Sequence, residues 1–545
     1  MDNQRLFLLV ILSAILLLMW QAWENQHPPV PAQIVRPATP SVPASPTTAS
    51  TSASAPATPV GPAKSATGAH IQVVTDLFSA ELDTRGGDLR QLDLKAYPVS
   101  ETRPNSPLRL FRDQGRYVFY VESGLIGRHG PWPDHQSLYQ PAALHYTLAA
   151  GQDTLKVPLT WTGPGGLRVV KTYTFHRDSY VIDVSYTITN GGQTPRSPYL
   201  YAQFLRSYTP PPHHLFGVAP SYVGAAVYSP QKKYQKVPFD DMRHKPLALD
   251  THGGWVAMLQ HYFVGAWIPP RSANTRFYSE ALGDHHYLAG YKTLTPAVIA
   301  PGATATLSTR LYAGPTDQAR LRKVAPGLDL TVDYGWLTFI AAPLYWLLAH
   351  IHAVVGNWGW SIILLTVLIK LVFYPLSATS YRSMAHLRQV QPKLAALKER
   401  YGDDRQKLSQ AMMEIYKTEK INPLGGCLPI VVQIPVFISL YWVLLQSVEL
   451  RQAPFILWIH DLSARDPYFI LPILMGISML TQQLISPQMT DPLQRKVMMA
   501  MPVLFTFFFA FFPSGLVLYW VCQNLLSIAQ QWWITRRFDA GRRAK

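Results

Sequence analysis

Cysteine is nearly absent from the sequence, which contains Cys427 and Cys522 and no others among its 545 residues. Both lie in or beside strongly apolar runs, where the disulfide framework of a small secreted domain is not expected. We interpret both as small apolar packing residues. The fold must therefore be held together by packing rather than by cross-links.

Charged residues make up only 15% of the chain, and the 48 basic residues outnumber the 32 acidic ones, for a net charge of +16. Such an excess is compatible with nucleic-acid binding, but no recognition helix, zinc-ligand spacing or aromatic-basic stacking surface accompanies it. Direct DNA binding is therefore not expected. Membrane topology, together with anionic lipids or RNA-bearing partners, explains the charge better.

The sequence also lacks the common signatures of enzymes. It contains no GxSxG nucleophile elbow, no HExxH zinc helix and no phosphate-binding P-loop. The histidine pairs at 213–214 and 285–286 are adjacent residues, which do not share a face of a helix or a strand, so no metal site is predicted. We expect no cofactor. An alternative is that the β-rich region of the chain binds a sugar in a cleft with paired carboxylates.

Apolar residues are abundant, at 48%, and gather at the N-terminus and beyond about residue 335. The mean hydropathy is only +0.04 because polar segments separate these runs. This distribution is typical of a polytopic membrane protein with a large water-soluble part.

The first apolar run, Leu6 to Trp20, has no convincing small-x-small cleavage site directly after it. A retained transmembrane anchor over residues 1–24 is therefore favoured over a cleaved signal peptide. Residues 25–68 are rich in Pro, Ala, Ser and Thr and predict a flexible linker, because such a segment cannot bury enough apolar surface to fold.

Residues 69–327 consist of short alternating segments broken by Gly, Pro and Asn, which predict an all-β sandwich domain. Within it, "VVKTYTFHRDSYVIDVSYTITNGG" predicts two strands joined by a turn near His176 to Ser179. Residues 328–357 are aromatic-rich and interrupted by Pro343, which favours an amphipathic helix in the membrane interface.

Five further runs are long and apolar enough to cross a bilayer, which with the anchor predicts six transmembrane helices. The five cover residues 358–379, 423–448, 467–485, 497–513 and 514–534. The segments between and after them are a cytoplasmic helical hairpin at 380–422, a periplasmic loop at 449–466, a cytoplasmic loop at 486–496 and a basic tail at 535–545. The basic hairpin and tail place both termini in the cytoplasm and the β-domain in the periplasm of a bacterium.

The predicted hairpin has one apolar stripe on each arm and a "YGDD" turn between them. Its candidate residues are Leu387, Leu394, Leu397, Tyr401, Asp403 and Asp404. Pro392 either kinks the first arm or starts it. The hairpin is either a charged, solvated cap or a docking or gating surface.

Lys370 stands near the middle of "ILLTVLIKLVFYPL", inside a predicted span. An ionised lysine there costs about 2.5 to 3.5 kcal/mol on insertion scales, so such residues usually face a polar cavity or a partner. Thr366 and Tyr374 lie four residues to either side, which predicts a polar stripe on one helical face. A lysine that snorkels to the interface is the alternative.

Other spans carry polar residues too, among them Gln433, Gln523 and Ser527. Several helices could therefore line one wet cavity around Lys370, although amides also bond helix to helix. No acid falls well within a span, which argues against a carboxylate proton relay. A solute transporter or channel is a further alternative, but the sequence shows no internal repeat.

The segments "INPLGGCLPI" and "FPSGLVLYW", within a match that covers nearly all of residues 328–540, closely resemble the YidC family of membrane protein insertases of Gram-negative bacteria. The β-rich region resembles that family less sharply, through "GGWVAMLQHYF" and "GLDLTVDYGW". The resemblance implies a periplasmic β-supersandwich and a five-helix core. It further implies a hydrophilic groove that is open to the cytoplasm and the lipid.

By position in this resemblance, Lys370 is the basic groove residue that attracts a polar or acidic segment of a nascent chain. The family usually has arginine there, and lysine keeps the charge but loses the bidentate fork. The other implied groove residues are Thr366, Gln433, Tyr519, Trp520 and Gln523, with Trp520 standing where tyrosine is frequent.

The resemblance implies a protein that inserts, folds and assembles inner-membrane proteins, with or without the Sec translocon, and that is not an enzyme. Its implied partners are nascent inner-membrane proteins, the Sec translocon and its accessory subunits, the ribosome transiently, and membrane lipids.

Overall fold

The structure is a computed structural model that describes residues 68–115, 117–128, 130–210, 221–401, 404–418, 428–486 and 492–543. The predicted anchor, residues 25–67 of the predicted linker and Asp403 lie outside the described residues.

The N-terminal described region is the all-β domain that the alternating pattern predicts. Its strands are β1 (His70–Val74), β2 (Phe78–Asp83), β3 (Asp88–Ser100), β4 (Arg103–Phe111), β5 (Phe119–Ile126), β6 (Gln140–Pro141), β7 (His145–Thr147), β8 (Thr154–Thr162), β9 (Leu167–His176), β10 (Val181–Asn190), β11 (Tyr199–Ser207), β12 (Gly224–Ser229), β13 (Lys233–Val237), β14 (Ala248–His252), β15 (Trp255–Gln260), β16 (Phe263–Ile268), β17 (Asn274–Gly283), β18 (His286–Thr293) and β19 (Thr304–Pro315).

These strands form a nine-stranded sheet, ordered β13-β12-β15-β16-β19-β10-β9-β8-β6, and two five-stranded sheets, β4-β3-β2-β1-β7 and β14-β17-β18-β11-β5. Both smaller sheets pack on the large one. The Phe78 ring of the first contacts Phe175 of the large sheet at 6.2 Å between centroids. Trp267 Nε1 donates across to the Gln203 carbonyl of the second at 3.2 Å. The predicted sandwich is confirmed.

The predicted hairpin around Asp178 is also confirmed. β9 and β10 pair antiparallel from Ile182 opposite Phe175 to Asn190 opposite Leu167. Asp178 occupies the turn with a φ of 50°, a conformation that Asp tolerates better than most side chains. Along β9 every second side chain is buried, as the period of a strand requires.

The buried face of β9 includes a lysine. The ammonium of Lys171 is fully buried and donates hydrogen bonds to the carbonyls of Gly86, at 2.9 Å, and Ser123, at 3.1 Å. It also contacts the buried Asp88 carboxylate at 3.3 Å. Burial lowers the pKa of Lys171 to about 8, although the charge of Asp88 opposes that shift. This cation ties three strands from different sheets together.

The described helices are α1 (Phe239–His244), α2 (Gln318–Val324), α3 (Thr338–Val355), α4 (Trp358–Val372), α5 (Tyr374–Tyr401), α6 (Arg405–Thr418), α7 (Leu428–Gln446), α8 (Ile470–Ile485), α9 (Pro492–Phe509) and α10 (Ser514–Arg543). Single 3-10 turns lie at Pro164–Gly166, Leu328–Thr331, Gly335–Leu337 and Val448–Leu450. Helix α10 packs against α4, α5 and α8, and α3 packs against α4 and α7.

Helix α4 ends at Val372, and α5 leaves it at an angle of 67°. Pro375 explains the break, because it has no N–H to bond the carbonyl of Leu371 and its ring crowds the preceding turn. The prediction that Thr366, Lys370 and Tyr374 share one helical face is therefore wrong, since Tyr374 begins the next helix. Pro392 lies inside α5, so it does not start the first arm of the hairpin.

Among the described residues, Gly335–Val355 is long and apolar enough to cross a membrane alone, and α4 with the first part of α5 meets that criterion as a bent pair. Shorter apolar helices cover Val431–Gln446, Ile470–Ile485 and Lys496–Phe509. The count of six spans and the interfacial placement of residues 328–357 stay predictions.

The β-domain contacts the loop that follows α7. Arg451 Nη2 donates to the Pro98 carbonyl at 2.6 Å, and Gln452 Nε2 donates to the same carbonyl at 3.1 Å. His261 Nε2 donates to the Leu445 carbonyl at 3.1 Å. Nearby, the Tyr345 hydroxyl of α3 donates to Glu449 Oε1 at 2.7 Å, and burial raises the pKa of that carboxyl. The β-domain and α3 thus both form hydrogen bonds with the end of α7 and the loop that follows it.

Candidate functional site

The candidate site begins with one hydrogen bond between α4 and α10. Lys370 Nζ donates to Ser527 Oγ at 2.7 Å, and Ser527 Oγ donates in turn to the Gln523 carbonyl at 2.7 Å. Ser527 is 5% exposed and Lys370 is partly buried. The cation is therefore directed toward α10 in a region where most neighbouring side chains are apolar.

A small, partly open pocket lies beside this hydrogen bond. Four helices and the break after α4 contribute its lining residues, which are Ile369, Lys370, Phe373, Leu376, Ser377, Val432, Gln433 and Gln523. The structure thus brings together three of the predicted groove residues, Lys370, Gln433 and Gln523. The break at Phe373 helps to form the pocket because it turns α5 away from the axis of α4.

The pocket carries a positive charge without a matching acid. Among the described residues, no carboxylate lies within ion-pair distance of Lys370. The side-chain oxygen of Gln523 is buried and accepts no hydrogen bond there. Within the same described segments, no group of three or more His, Cys, Asp or Glu could hold a metal ion. The pocket therefore offers a cationic donor and a free acceptor to a polar group that enters it.

Thr366 lies one turn before Lys370 but is fully buried. Its hydroxyl donates to the carbonyl of Ile362 in its own helix at 2.6 Å, a common arrangement for a threonine inside a helix. It does not line the pocket, and its groove role stays a prediction.

Tyr519 and Trp520 lie on α10 beside the pocket, among aromatic side chains. Tyr519 is 1% exposed, its ring lies 6.1 Å from that of Phe437, and Gln433 is a polar neighbour of its hydroxyl. Trp520 contacts Phe437 at 4.5 Å and Phe509 at 4.9 Å between ring centroids. Together they form an aromatic wall that connects α7, α9 and α10, next to the polar pocket.

Ser527 is the partner of Lys370 in the structure, whereas from the sequence it is named among the polar residues of the spans without a role in the groove. It was visible as a polar residue of the last span, four residues after Gln523 and thus on the same face of the helix. What the sequence could not give is the partner, because the bond to Lys370 joins residues 157 positions apart.

The apolar stripes of the two hairpin arms pack against each other. Leu394 of α5 is buried beside Val390, and Leu387, Met412, Ile415 and Tyr416 pack against that pair. Leu397 and Tyr401 are half-buried at the end of α5. Asp404 accepts a hydrogen bond from the backbone N–H of Lys407 at 3.0 Å, which caps α6. A docking or gating role for this hairpin stays a prediction.

An apolar helical bundle with a cationic pocket, joined to a two-layered β-domain, defines a helical membrane protein with a large extramembrane domain. Residues 70–347 match the family described as the YidC periplasmic domain, and residues 350–541 match the family described as the 60Kd inner membrane protein. The chain belongs to the YidC family of membrane protein insertases.

Two full-length relatives support that assignment over the whole chain. The membrane protein insertase YidC of Methylobacillus flagellatus is 51% identical over 98% of this chain and 97% of its own. That of Methylococcus capsulatus is 48% identical over 99% of both chains. A crystal structure of an active YidC insertase with its first transmembrane domain resolved aligns at 17% identity and a TM-score of 0.38, covering 84% of this chain and 91% of that one.

Proposed function

We propose that this protein is a membrane protein insertase and chaperone that inserts, folds and assembles inner-membrane proteins, alone or with the Sec translocon. The full-length relatives, which carry the name of insertase, support this proposal. The function is not enzymatic, since it requires no covalent bond to be made or broken in the substrate.

The observation that carries the mechanism is the unmatched cation of Lys370 in a pocket with Gln433 and Gln523. A polar segment that enters the bilayer loses its hydration, which costs several kcal/mol per unpaired group. A pocket that reaches into the membrane shortens the apolar path, and its polar side chains replace part of the lost water. Lys370 adds attraction for acidic segments, about 4 kcal/mol for two unit charges 4 Å apart at an effective dielectric constant of 20.

The same geometry suggests how Lys370 binds the incoming segment. Its ammonium has three N–H donors, and one of them is engaged by Ser527 at 2.7 Å. An incoming carboxylate or carbonyl accepts from the remaining donors, while Gln523 accepts from a substrate N–H. While the segment is bound, the hydrogen bond from Lys370 to Ser527 keeps the ammonium in the pocket.

The apolar part of the substrate requires a different surface. The aromatic wall of Tyr519 and Trp520 lies beside the pocket, and α9 exposes Val503, Leu504 and Phe507. In our proposal the groove opens to the cytoplasm and the lipid, so that an apolar segment leaves along this wall while its polar end occupies the pocket. Both termini and the hairpin are cytoplasmic, and the β-domain is periplasmic. The ribosome binds transiently, and membrane lipids surround the helices.

Depletion of the protein in cells, followed by protease mapping of small one-span and two-span membrane proteins, tests the proposed function. We expect the segments of these proteins that normally reach the periplasm to stay in the cytoplasm, where a protease added from the periplasmic side cannot cleave them. Normal insertion would overturn the proposal. Complementation with Lys370→Ala and the matched variant Lys370→Arg tests the pocket. Arg should restore insertion because it keeps the charge, whereas Ala should not. Equal activity of Ala and the native protein would reduce Lys370 to a snorkelling residue.

A further inference from the structure

The last turns of α10 carry two tryptophans that face away from the helical bundle. Trp532 and Trp533 are 50% and 49% exposed, whereas their neighbours Gln531 and Ile534 are only 4% and 6% exposed. Gln531 Nε2 reaches Ser486 Oγ at 3.5 Å, which fixes the inner face of the helix toward α8. The two indole rings therefore cover the outer face at this level.

Each tryptophan is covered by an arginine one turn later. The guanidinium carbon of Arg536 lies 5.1 Å from the ring centre of Trp532, and that of Arg537 lies 4.4 Å from the ring centre of Trp533. A guanidinium that stacks on an indole keeps its N–H groups directed outward in its own plane. Both arginines are exposed, and neither contacts a carboxylate whose position the structure describes.

The position of these pairs along the helix matches the edge of a bilayer. From Ser514, where α10 begins, to Trp533 is about 28 Å at the rise of an α-helix. The hydrocarbon core is about 30 Å thick, and tryptophan favours its boundary with water. The rings would thus lie at the boundary with the guanidinium groups just outside it. From Ser514 to the end of the chain, Asp539 is the single acidic residue.

We propose that the pairs Trp532–Arg536 and Trp533–Arg537 form a binding surface for the headgroup phosphates of anionic phospholipids at the cytoplasmic side of the membrane. The indoles pack against the upper acyl chains and glycerol, and the guanidinium groups donate paired hydrogen bonds to phosphate oxygens. Charge complementarity and the apolar ring faces together favour a lipid over a nucleic acid, which would leave the rings partly in water. The surface lies outside the pocket and does not depend on insertase activity.

Native mass spectrometry of the full-length protein in detergent tests the proposal by titration with phosphatidylglycerol and, separately, phosphatidylcholine. We expect tighter binding of phosphatidylglycerol to the native protein, and a roughly tenfold or greater loss in R536Q/R537Q, because that variant lacks both guanidinium groups that donate to the phosphate. The matched control is R542Q/R543Q, which removes the same charge from the same helix and should change binding by less than about threefold. R536K/R537K, which keeps the charge without the planar fork, should bind at an intermediate level.

Three outcomes would overturn the proposal. Equal losses in R536Q/R537Q and R542Q/R543Q would mean that net charge alone attracts the lipid. Equal binding of the two lipids to the native protein would exclude headgroup recognition. If R536Q/R537Q kept its phosphatidylglycerol affinity but lost affinity for a double-stranded RNA probe, the surface would serve a nucleic acid instead. Size-exclusion profiles of all variants check that they fold, which we expect for the Arg536 and Arg537 variants because both side chains are exposed.

Discussion

Lys370 on α4 and Ser527 on α10 are joined by a hydrogen bond of 2.7 Å, and the Ser527 hydroxyl donates its own hydrogen bond to the Gln523 carbonyl of α10. A long lysine side chain loses much conformational freedom when it is held in this way. The bond therefore does more than satisfy a donor, because it holds the ammonium inside the pocket instead of allowing it to reach toward bulk water. We regard Ser527 as a positioning residue for the cation.

Replacement of Ser527 tests that role. Ser527→Ala should lower the insertion of substrates with acidic translocated segments several-fold, since a hydrogen bond to a charged group contributes about 1.5 to 3 kcal/mol. Ser527→Thr keeps the hydroxyl and should retain most of the activity. Insertion into proteoliposomes, compared for an acidic and a neutral version of one substrate, measures the effect. Identical rates for Ala and Ser with the acidic substrate would contradict it.

Gln523 should show a conflict between stability and function. Its side-chain oxygen is buried without a hydrogen bond, which costs about 1 to 3 kcal/mol. Gln523→Leu should therefore raise the thermal unfolding temperature of the purified protein and lower its insertion activity. Asn524→Leu is the matched control, because Asn524 Nδ2 donates to Ser478 Oγ at 3.0 Å and its loss should destabilise the protein. A drop in unfolding temperature for both variants would argue against an unpaired acceptor in the pocket.

Gly359 near the start of α4 allows the loop after α7, which carries Phe455, to approach closely. A Cβ at this position would lie 2.0 Å from the Phe455 ring, which has to move to admit it. Gly359→Ala should destabilise the protein by about 1 to 3 kcal/mol through overpacking. Phe455→Leu in the same chain should recover part of that loss by making room. Unfolding of the single and double variants measures the coupling, and strictly additive effects would show that the two positions do not compete for space.

The sequence predicted the elements of this fold better than their contacts. Alternation alone located β9, β10 and their turn, and apolar runs located α7 to α10. The bend after Val372 was missed although Pro375 was visible, because a proline in an apolar run is compatible with either a kinked span or a broken one. The bond between Lys370 and Ser527 is tertiary, and no local pattern encodes a contact between residues so far apart in the chain.

Lys171 illustrates the same limit inside the β-domain. Its position in "VVKTYTFH" places it on the inward face of β9, in phase with Val169 and Tyr173. Its charge would favour the outward face instead, because lysine is almost never fully buried unless it is paired. The acceptors that make burial possible, Gly86, Asp88 and Ser123, come from other strands and loops.

Lys171 also gives the β-domain a pH dependence with a defined sign. Burial lowers its pKa from 10.5 to about 8, so between these pH values the unfolded chain binds more protons at this group than the folded chain. The free energy of unfolding must therefore increase with pH across that window through this group, and below pH 8 its contribution is flat. The buried tyrosines around it have pKa values raised above 10, so they act only at higher pH.

We expect Lys171→Met to abolish this rise between pH 8 and 10. At pH 7 the variant should lose about 3 to 5 kcal/mol, because the buried Asp88 carboxylate then keeps the more distant Arg90, at 3.5 Å, and a hydrogen bond from the Ser123 N–H, at 3.3 Å, but loses the ammonium. Asp88→Asn in the same chain should recover part of the loss by removing the uncompensated charge. Denaturant unfolding of the full-length protein in detergent, followed by hydrogen exchange of β9 at several pH values, measures the loss at pH 7 and the slope of the free energy of unfolding between pH 8 and 10. If the native protein and Lys171→Met showed the same slope between pH 8 and 10, the buried ammonium would not be the group that titrates there.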